Sequence, residues 1–338
     1  MTIEKYLVKK ASLSTLFDKI KASGKTIKAP VKKRHTTDFA AVGSLDETTD
    51  DYITTAQSAK SAVFPRVEKL FGYVKSKNGV ELVDYDLSTI PETVLWGVRP
   101  CDAAGFDPLN AIFNWDINDV IFSTRLARTT IVGFACAKAD SSCFCTSVGG
   151  NPGSTAGSDL LFTKLSNGDY LAEIITEKGK AIQALAPELF EAAPSEEKEQ
   201  NLATVEQKFT REEIKAKAEQ YFESDVWKEQ AQRCISCGTC AFVCPTCACF
   251  DIQDEGHGKH GQRIRIWDSC GFSLFTQHTS GHNPRETQGR RWRQRVMHKF
   301  SYMPDRQSVY GCVGCGRCSR ACPADMNLLE HLQQIVKL

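Results

Sequence analysis

The sequence predicts an α+β protein. Residues 1–200 form a mixed α/β domain carrying a loop-borne four-cysteine site, and residues 201–338 form a mainly helical domain built around a repeated cysteine motif. Three observations predict this. The 15 cysteines are clumped: none precedes Cys101, four lie from Cys101 to Cys145, six from Cys234 to Cys249, one at Cys270 and four from Cys312 to Cys322. The first clump follows apolar, β-branched runs of strand length. The later clumps spell one motif twice, amid helix-compatible sequence.

Composition narrows the class. A length of 338 residues allows two domains at roughly 150 residues each. At 41% hydrophobic and 25% charged, the chain has a globular rather than a disordered composition. No apolar run approaches the roughly 18 residues a membrane helix needs, so no membrane insertion is expected. The N-terminal MTIEKYLVKK lacks the apolar core of a secretory signal, and a cytoplasmic location follows. A net charge of +1 offers no whole-molecule attraction for nucleic acid. In a reducing compartment this many cysteines point to metal ligation or thiol chemistry rather than disulfides.

In chain order, residues 92–99 (ETVLWGVR) and 128–135 (RTTIVGFA) read as strands, with a crossover helix between them over 103–115 (AAGFDPLNAIFNW), a βαβ unit. Residues 159–165 and 170–176 flank Ser166-Asn167-Gly168-Asp169 and read as a hairpin, because Asn-Gly accepts the positive φ values of a tight turn. The polar stretch 195–208 is the linker candidate. Thr210 and Glu213 form a capping box that opens a helix with Ile214, Tyr221, Phe222 and Trp227 on its apolar positions. A further helix-compatible run extends from Arg285 to Lys299.

The repeated motif carries the strongest chemical signal. Cys234, Cys237, Cys240 and Cys244-Pro245 follow the spacing C-x2-C-x2-C-x3-C-P, and Cys312, Cys315, Cys318 and Cys322-Pro323 repeat it. This is the pattern of two-cluster ferredoxins, in which the fourth cysteine of each run ligates the other cluster. It assigns Cys234, Cys237, Cys240 and Cys322 to one [4Fe–4S] cluster, and Cys312, Cys315, Cys318 and Cys244 to a second. Gly238 and Gly316 would let the backbone approach the sulfides. Two other readings compete: paired four-cysteine zinc sites, and a radical-SAM motif at Cys240, Cys244 and Cys247 that leaves the second copy unexplained. The long gap from Cys244 to Cys312 favours an α-helical ferredoxin-like dicluster domain over a compact ferredoxin.

Cys101 and Cys136 end the two predicted strands, and Cys143 and Cys145 sit in the following loop. Adjacent parallel strands would deliver the first two at their carboxyl ends, and the loop would close the set. These four suit a third [4Fe–4S] cluster, with a four-thiolate zinc site as the alternative.

The segments WGVRPCDAAGFDPLNAIF, CAKADSSCFCTSVGG, CISCGTCAFVCPTCACFDIQDE, WDSCGFSLF, SGHNPRETQGRRWRQRVMHKFSY and YGCVGCGRCSRACP resemble the family of the iron–sulfur subunit of anaerobic sulfite reductase and the sulfhydrogenase β subunit. The resemblance runs from about residue 90 to the end, and more loosely before it. It implies an electron-transfer subunit linking an FAD/NAD(P)H-binding reductase subunit to a catalytic subunit of hydrogenase, sulfite reductase or heterodisulfide reductase type. The flavin belongs to the partner in that family, and this chain has neither a G-x-G-x-x-G after a strand nor a P-loop. No catalytic residue is expected. The competing functions are a self-contained reductase that turns over a small molecule at the N-terminal metal site, and a zinc-stapled interaction protein.

Cys247, Cys249 and Cys270 remain unassigned. Buried packing thiols, a fourth metal site completed by His257 or His260, and redox-active thiols are the three readings. The basic strip Arg285, Arg290, Arg291, Arg293, Arg295 and Lys299 reads as a solvated helix face, as cations beside the clusters, or as a docking patch for an acidic partner. His278 and His282 flank a Gly/Ser turn and read as structural.

Overall fold

The computed structural model describes residues 3–338. Strand β1 (Glu4–Val8) leads to helix α1 (Leu13–Ala22), which buries Leu13, Leu16, Phe17 and Ile20 on one face, the i, i+3, i+4, i+7 stripe of an amphipathic helix. Strands β2 (Thr26–Lys32) and β3 (Thr37–Ala41) follow, then the hairpin of β4 (Val67–Ser76) and β5 (Gly79–Asp84). Strand β6 (Thr93–Val98) runs into the single turn α2 (Pro100–Ala103), helices α3 (Phe106–Phe113) and α4 (Val120–Ala127), and strand β7 (Thr129–Phe134). Every residue of β6 and β7 is buried, as parallel strands covered on both faces require. Strands β8 (Leu160–Lys164) and β9 (Tyr170–Ile174), helix α5 (Glu177–Gln183) and the short β10 (Glu191–Ala192) complete this part of the chain.

Beyond residue 201 come α6 (Arg211–Gln220), α7 (Val226–Gln230), α8 (Thr239–Phe242), the long strands β11 (Phe250–His257) and β12 (His260–Trp267), and α9 (Gln288–Met297). A π-helical turn (His298–Tyr302) continues α9 into α10 (Met303–Gln307), followed by α11 (Arg317–Arg320) and α12 (Leu328–Val336).

The strands form two sheets. The larger runs β10-β1-β9-β8-β7-β6-β2-β3. Its central β2, β6, β7 and β8 are parallel, and its flanking pairs are antiparallel. The smaller sheet is antiparallel in the order β11-β12-β4-β5 and so takes two strands from each part of the chain. The fold is thus mixed α/β throughout. The expectation of a mainly helical C-terminal part needs this addition: the gap between the two cysteine motifs opens with a β-hairpin. Every residue of β11 is exposed, and beyond Phe250 and Ile252 the strand has no apolar residue to announce it.

Three other expectations are refined. The single crossover helix is two, because Asp119 N-caps a fresh start at α4 by accepting a hydrogen bond from Phe122 N at 2.9 Å. The helix opened by the Thr210–Glu213 capping box ends at Gln220, and Trp227 belongs to α7. The Trp227 indole donates to Tyr221 O at 2.9 Å, which folds the break back on itself. The polar stretch 195–208 is docked rather than free. Lys198 pairs with Glu173 at 2.6 Å, and Ala203 N donates to Cys136 O at 2.7 Å.

Candidate metal centres

The two cysteine motifs have the same backbone. Ser236 and Gly314 take equivalent places with φ of 56° and 64°, and Gly238 and Gly316 with φ of 74° and 70°. Each glycine then caps a four-residue helix, α8 or α11, that delivers the third cysteine of its motif and stops short of the fourth. The two short helices touch each other. The glycines have a reason that differs from the expected approach to sulfides: a Cβ at Gly238 would overlap the Phe272 ring at 2.5 Å, and one at Gly316 would overlap Ser142 O at 2.3 Å. Left-handed φ and close loop packing demand glycine here.

The structure brings the fourth cysteine of the first motif to the second motif. Burial pushes the Cys312 thiol up to about 12 against the pull of Lys299, and the charges of Cys318 and Cys244 add to the rise. Burial likewise lifts Cys315 to about 11, with Cys244 and Cys318 again among its neighbours. Cys240 is lifted to about 12 by burial, with Cys270, Cys318 and Cys234 within its field. Cys322 accepts a hydrogen bond from Met326 N at 3.3 Å, and the loop beyond it is tied to the first motif by Arg233–Asp325 at 3.1 Å. Bare thiols held this high are ionised outright when they coordinate iron. The donor set, thiols in tight left-handed loops, therefore fits clustered iron.

Cys101 lies in α2 directly beyond β6, and Cys136 lies two residues beyond β7, at the same edge of the large sheet. Burial raises both thiols, Cys101 with Cys315 and Cys136 among its neighbours, and Cys136 with Cys143 among its own. Burial also lifts Cys145 to about 12, with Cys136 and Cys143 adding to it. Cys101, Cys145 and Cys312 line one cavity of about 280 Å³. The Cys143–Cys145 loop is clamped to the second motif: Phe144 N donates to Gly314 O at 2.9 Å, and a Cβ on Gly314 would meet the Phe144 and Cys145 backbone at 2.5 Å. Arg320 of α11 reaches back to Asp140 at 2.6 Å and to Cys143 Sγ at 3.1 Å. Buried Arg317 forks onto buried Asp102, beside Cys101.

Much of the basic strip turns inward. Arg291, Arg295 and Lys299 are buried and spaced four residues apart, on one face of α9 and the π turn. Lys299 Nζ lies 3.4 Å from Cys244 Sγ, and Arg295 lies 3.7 Å from Cys247 Sγ and donates to Cys240 O at 3.0 Å. Gln288 donates to Cys234 Sγ at 2.7 Å. Lys60, missed in the sequence, is also buried and donates to the carbonyls of Ala241 and Cys247 at 3.1 and 2.9 Å. Of this strip, Arg290 is fully on the outside, and Arg293 is half-buried against the Phe222 ring and Glu223. A wholly solvated helix face is therefore excluded.

The unassigned cysteines come together. Cys247 is buried and packs with Cys244, and the pairing holds the Cys247 thiol up and the Cys244 thiol down. Cys249 and Cys270 line one cavity together with Cys247. His257 and His260 face each other at the far tip of the β11–β12 hairpin, a strand's length from Cys249, which removes them as completing ligands. His278 and His282 lie edge to face at 5.4 Å, joined by a backbone hydrogen bond. Among the described residues, no three Cys, His, Asp or Glu side chains converge as a single-ion site, and no helix is long and apolar enough to cross a membrane.

This geometry defines an iron–sulfur protein with paired four-cysteine motifs, and comparison with known proteins agrees. Residues 233–326 match the 4Fe-4S dicluster domain family, so the chain carries such a domain and its [4Fe–4S] chemistry. Over 327 residues the chain is 29% identical to sulfhydrogenase 2 subunit beta of Pyrococcus furiosus, with 94% of each chain covered. The resemblance read from the sequence thus extends along almost the whole chain. No solved structure matches.

Proposed function

We propose that the chain is the iron–sulfur electron-transfer subunit of a cytoplasmic oxidoreductase complex. It relays electrons between an FAD/NAD(P)H-binding partner and a catalytic subunit of hydrogenase, sulfite reductase or heterodisulfide reductase type. In this reading one [4Fe–4S] cluster rests on Cys234, Cys237, Cys240 and Cys322, a second on Cys312, Cys315, Cys318 and Cys244, and a third on Cys101, Cys136, Cys143 and Cys145. The helices α8, α11 and α12 around the motifs support a helical ferredoxin type for the region 201–338. The observation that supports it is the clamp of the Cys143–Cys145 loop on Gly314, which packs the N-terminal thiol loop against the second motif. Bound clusters would supply one-electron steps. The chain holds the thiols in register and sets buried cations beside them, which favours the more negative, reduced state.

Iron and sulfide analysis of anaerobically purified protein tests the reading. Three cubanes require about 12 irons per chain, and Cys101→Ser should lower this to about 8 while leaving the dicluster electron paramagnetic resonance signal. A preparation with about 8 irons and one zinc would overturn the third cluster.

A further inference from the structure

We infer that Cys249 and Cys270 form a redox-active dithiol that reduces a small anionic disulfide in the cationic cavity beside it. The inference rests on the relay reading for its electrons. The two cysteines flank the open end of the β11–β12 hairpin, Cys249 directly before β11 and Cys270 three residues after β12. There Asp268 N donates to Cys249 O at 2.9 Å and carries the ladder one step past Phe250 and Trp267. Both thiols are partly exposed, in contrast to buried Cys247. Together with Cys247 they line a cavity of about 210 Å³, whose other walls include Arg285, Arg295, His298 and Lys299. Arg295 is only 4% exposed, yet its Nε has no partner, an unspent buried donor on this cavity's wall. A guanidinium so placed suits an anion.

The turn bearing Cys270 also touches the relay. The first motif's Gly238 packs against Ser269 and Phe272, and Cys240 and Cys270 lie within each other's field. The chemistry is thiol–disulfide exchange. One thiolate attacks a disulfide RSSR, forms a mixed disulfide and releases RS⁻. The second thiolate attacks the protein-bound sulfur, forms the Cys249–Cys270 bond and releases a second RS⁻. Two electrons from the relay reduce the Cys249–Cys270 bond back to two thiolates and two protons from solvent neutralise the two RS⁻, so RSSR, two electrons and two protons yield two RSH.

The test uses the full chain, purified anaerobically with its iron, and dithiodiglycolate as the probe. After dithionite reduction and removal of excess reductant, the probe should reoxidise the protein and release two thiols per disulfide, and mass spectrometry should find Cys249 linked to Cys270. Cys249→Ser and Cys270→Ser should keep the iron content and the cluster signals of the parent; the variant that retains the attacking thiol should release one thiol per chain and stop at the mixed disulfide, and the other should release none. The neutral bis(2-hydroxyethyl) disulfide should react more slowly than the dianion. Loss of iron in either variant would make these thiols cluster ligands and overturn the inference, as would absence of the Cys249–Cys270 link. The link needs no cluster. Link formation without reoxidation of the clusters would therefore leave the dithiol standing and bring down the relay.

Discussion

Ser236 and Gly314 show how one backbone is met by two different residues. Both stand in the left-handed region, where a side chain costs roughly 1–2 kcal/mol. Ser236 offsets that cost through its hydroxyl, which donates to Gln288 Oε1 at 2.6 Å, and the same amide donates to Cys234 Sγ. At Gly314 no side chain fits, because the Phe144 and Cys145 backbone occupies the space. Gly314→Ala is therefore expected to lower stability by roughly 2–4 kcal/mol, the conformational cost plus overpacking. It should also loosen the Cys143–Cys145 loop, which anaerobic denaturant unfolding and iron analysis would register together. Ser236→Gly should change stability by less than about 1 kcal/mol, because relieved strain and the lost hydrogen bond oppose each other. The cysteine spacing was legible in the sequence, since spacing is what a tight ligand loop encodes. The reason for the second motif's glycines was not, because the atoms Gly314 and Gly316 make room for lie in Phe144, Cys145 and Ser142, far away in the sequence.

Helix α9 illustrates the same limit at the level of an element. A helix across Arg285–Lys299 was readable from its pattern, and so were the capping box at Thr210, the hairpin at Asn167-Gly168 and the strands at Thr93–Val98 and Thr129–Phe134. All of these are local signals. Arginine is usually a surface residue, so the direction of the α9 face was not readable from composition. The i, i+4, i+8 spacing of Arg291, Arg295 and Lys299 was the available clue. The π turn at Lys299 continues the helix so that this lysine still reaches Cys244 Sγ, Thr246 Oγ1 and Gly311 O. Lys299→Met should shift the midpoint potential of the cluster proposed for Cys312, Cys315, Cys318 and Cys244 to more negative values, because a cation near a cubane stabilises its reduced form. The size is bounded by the about 4 kcal/mol between unit charges 4 Å apart at an effective dielectric of 20. A redox titration followed by electron paramagnetic resonance would check it. An unshifted potential, with iron content intact, would show that the charge is screened.

At the scale of the whole molecule, the sequence divides at residue 201 where the tertiary contacts do not. Strand β12 lies against β4, and buried Arg265 bonds both Glu68 and Asp119 of the N-terminal part. Buried Arg317 of the second motif holds Asp102 and Thr55 O, and buried Lys60 holds two carbonyls around the first motif. These pairings join residues up to 262 positions apart, which is why no local pattern disclosed them. Removing one partner of a buried ion pair costs roughly 3–5 kcal/mol, because the survivor stays buried and uncompensated. Two such pairs and the loss of β12's neighbour together rival the 5–15 kcal/mol that holds a typical domain folded. A fragment of residues 201–338 is therefore expected to fail as an independent dicluster domain, despite containing every cysteine of both motifs. Reconstituted with iron and sulfide under anaerobic conditions, it should hold fewer than the about 8 irons that two cubanes need and should unfold without a cooperative transition. Adding back residues 1–200 as a separate chain should restore both, since the missing groups are supplied by packing and not by chain continuity. A fragment that held its full iron alone would show that the shared sheet and buried pairs position the relay without supporting its fold.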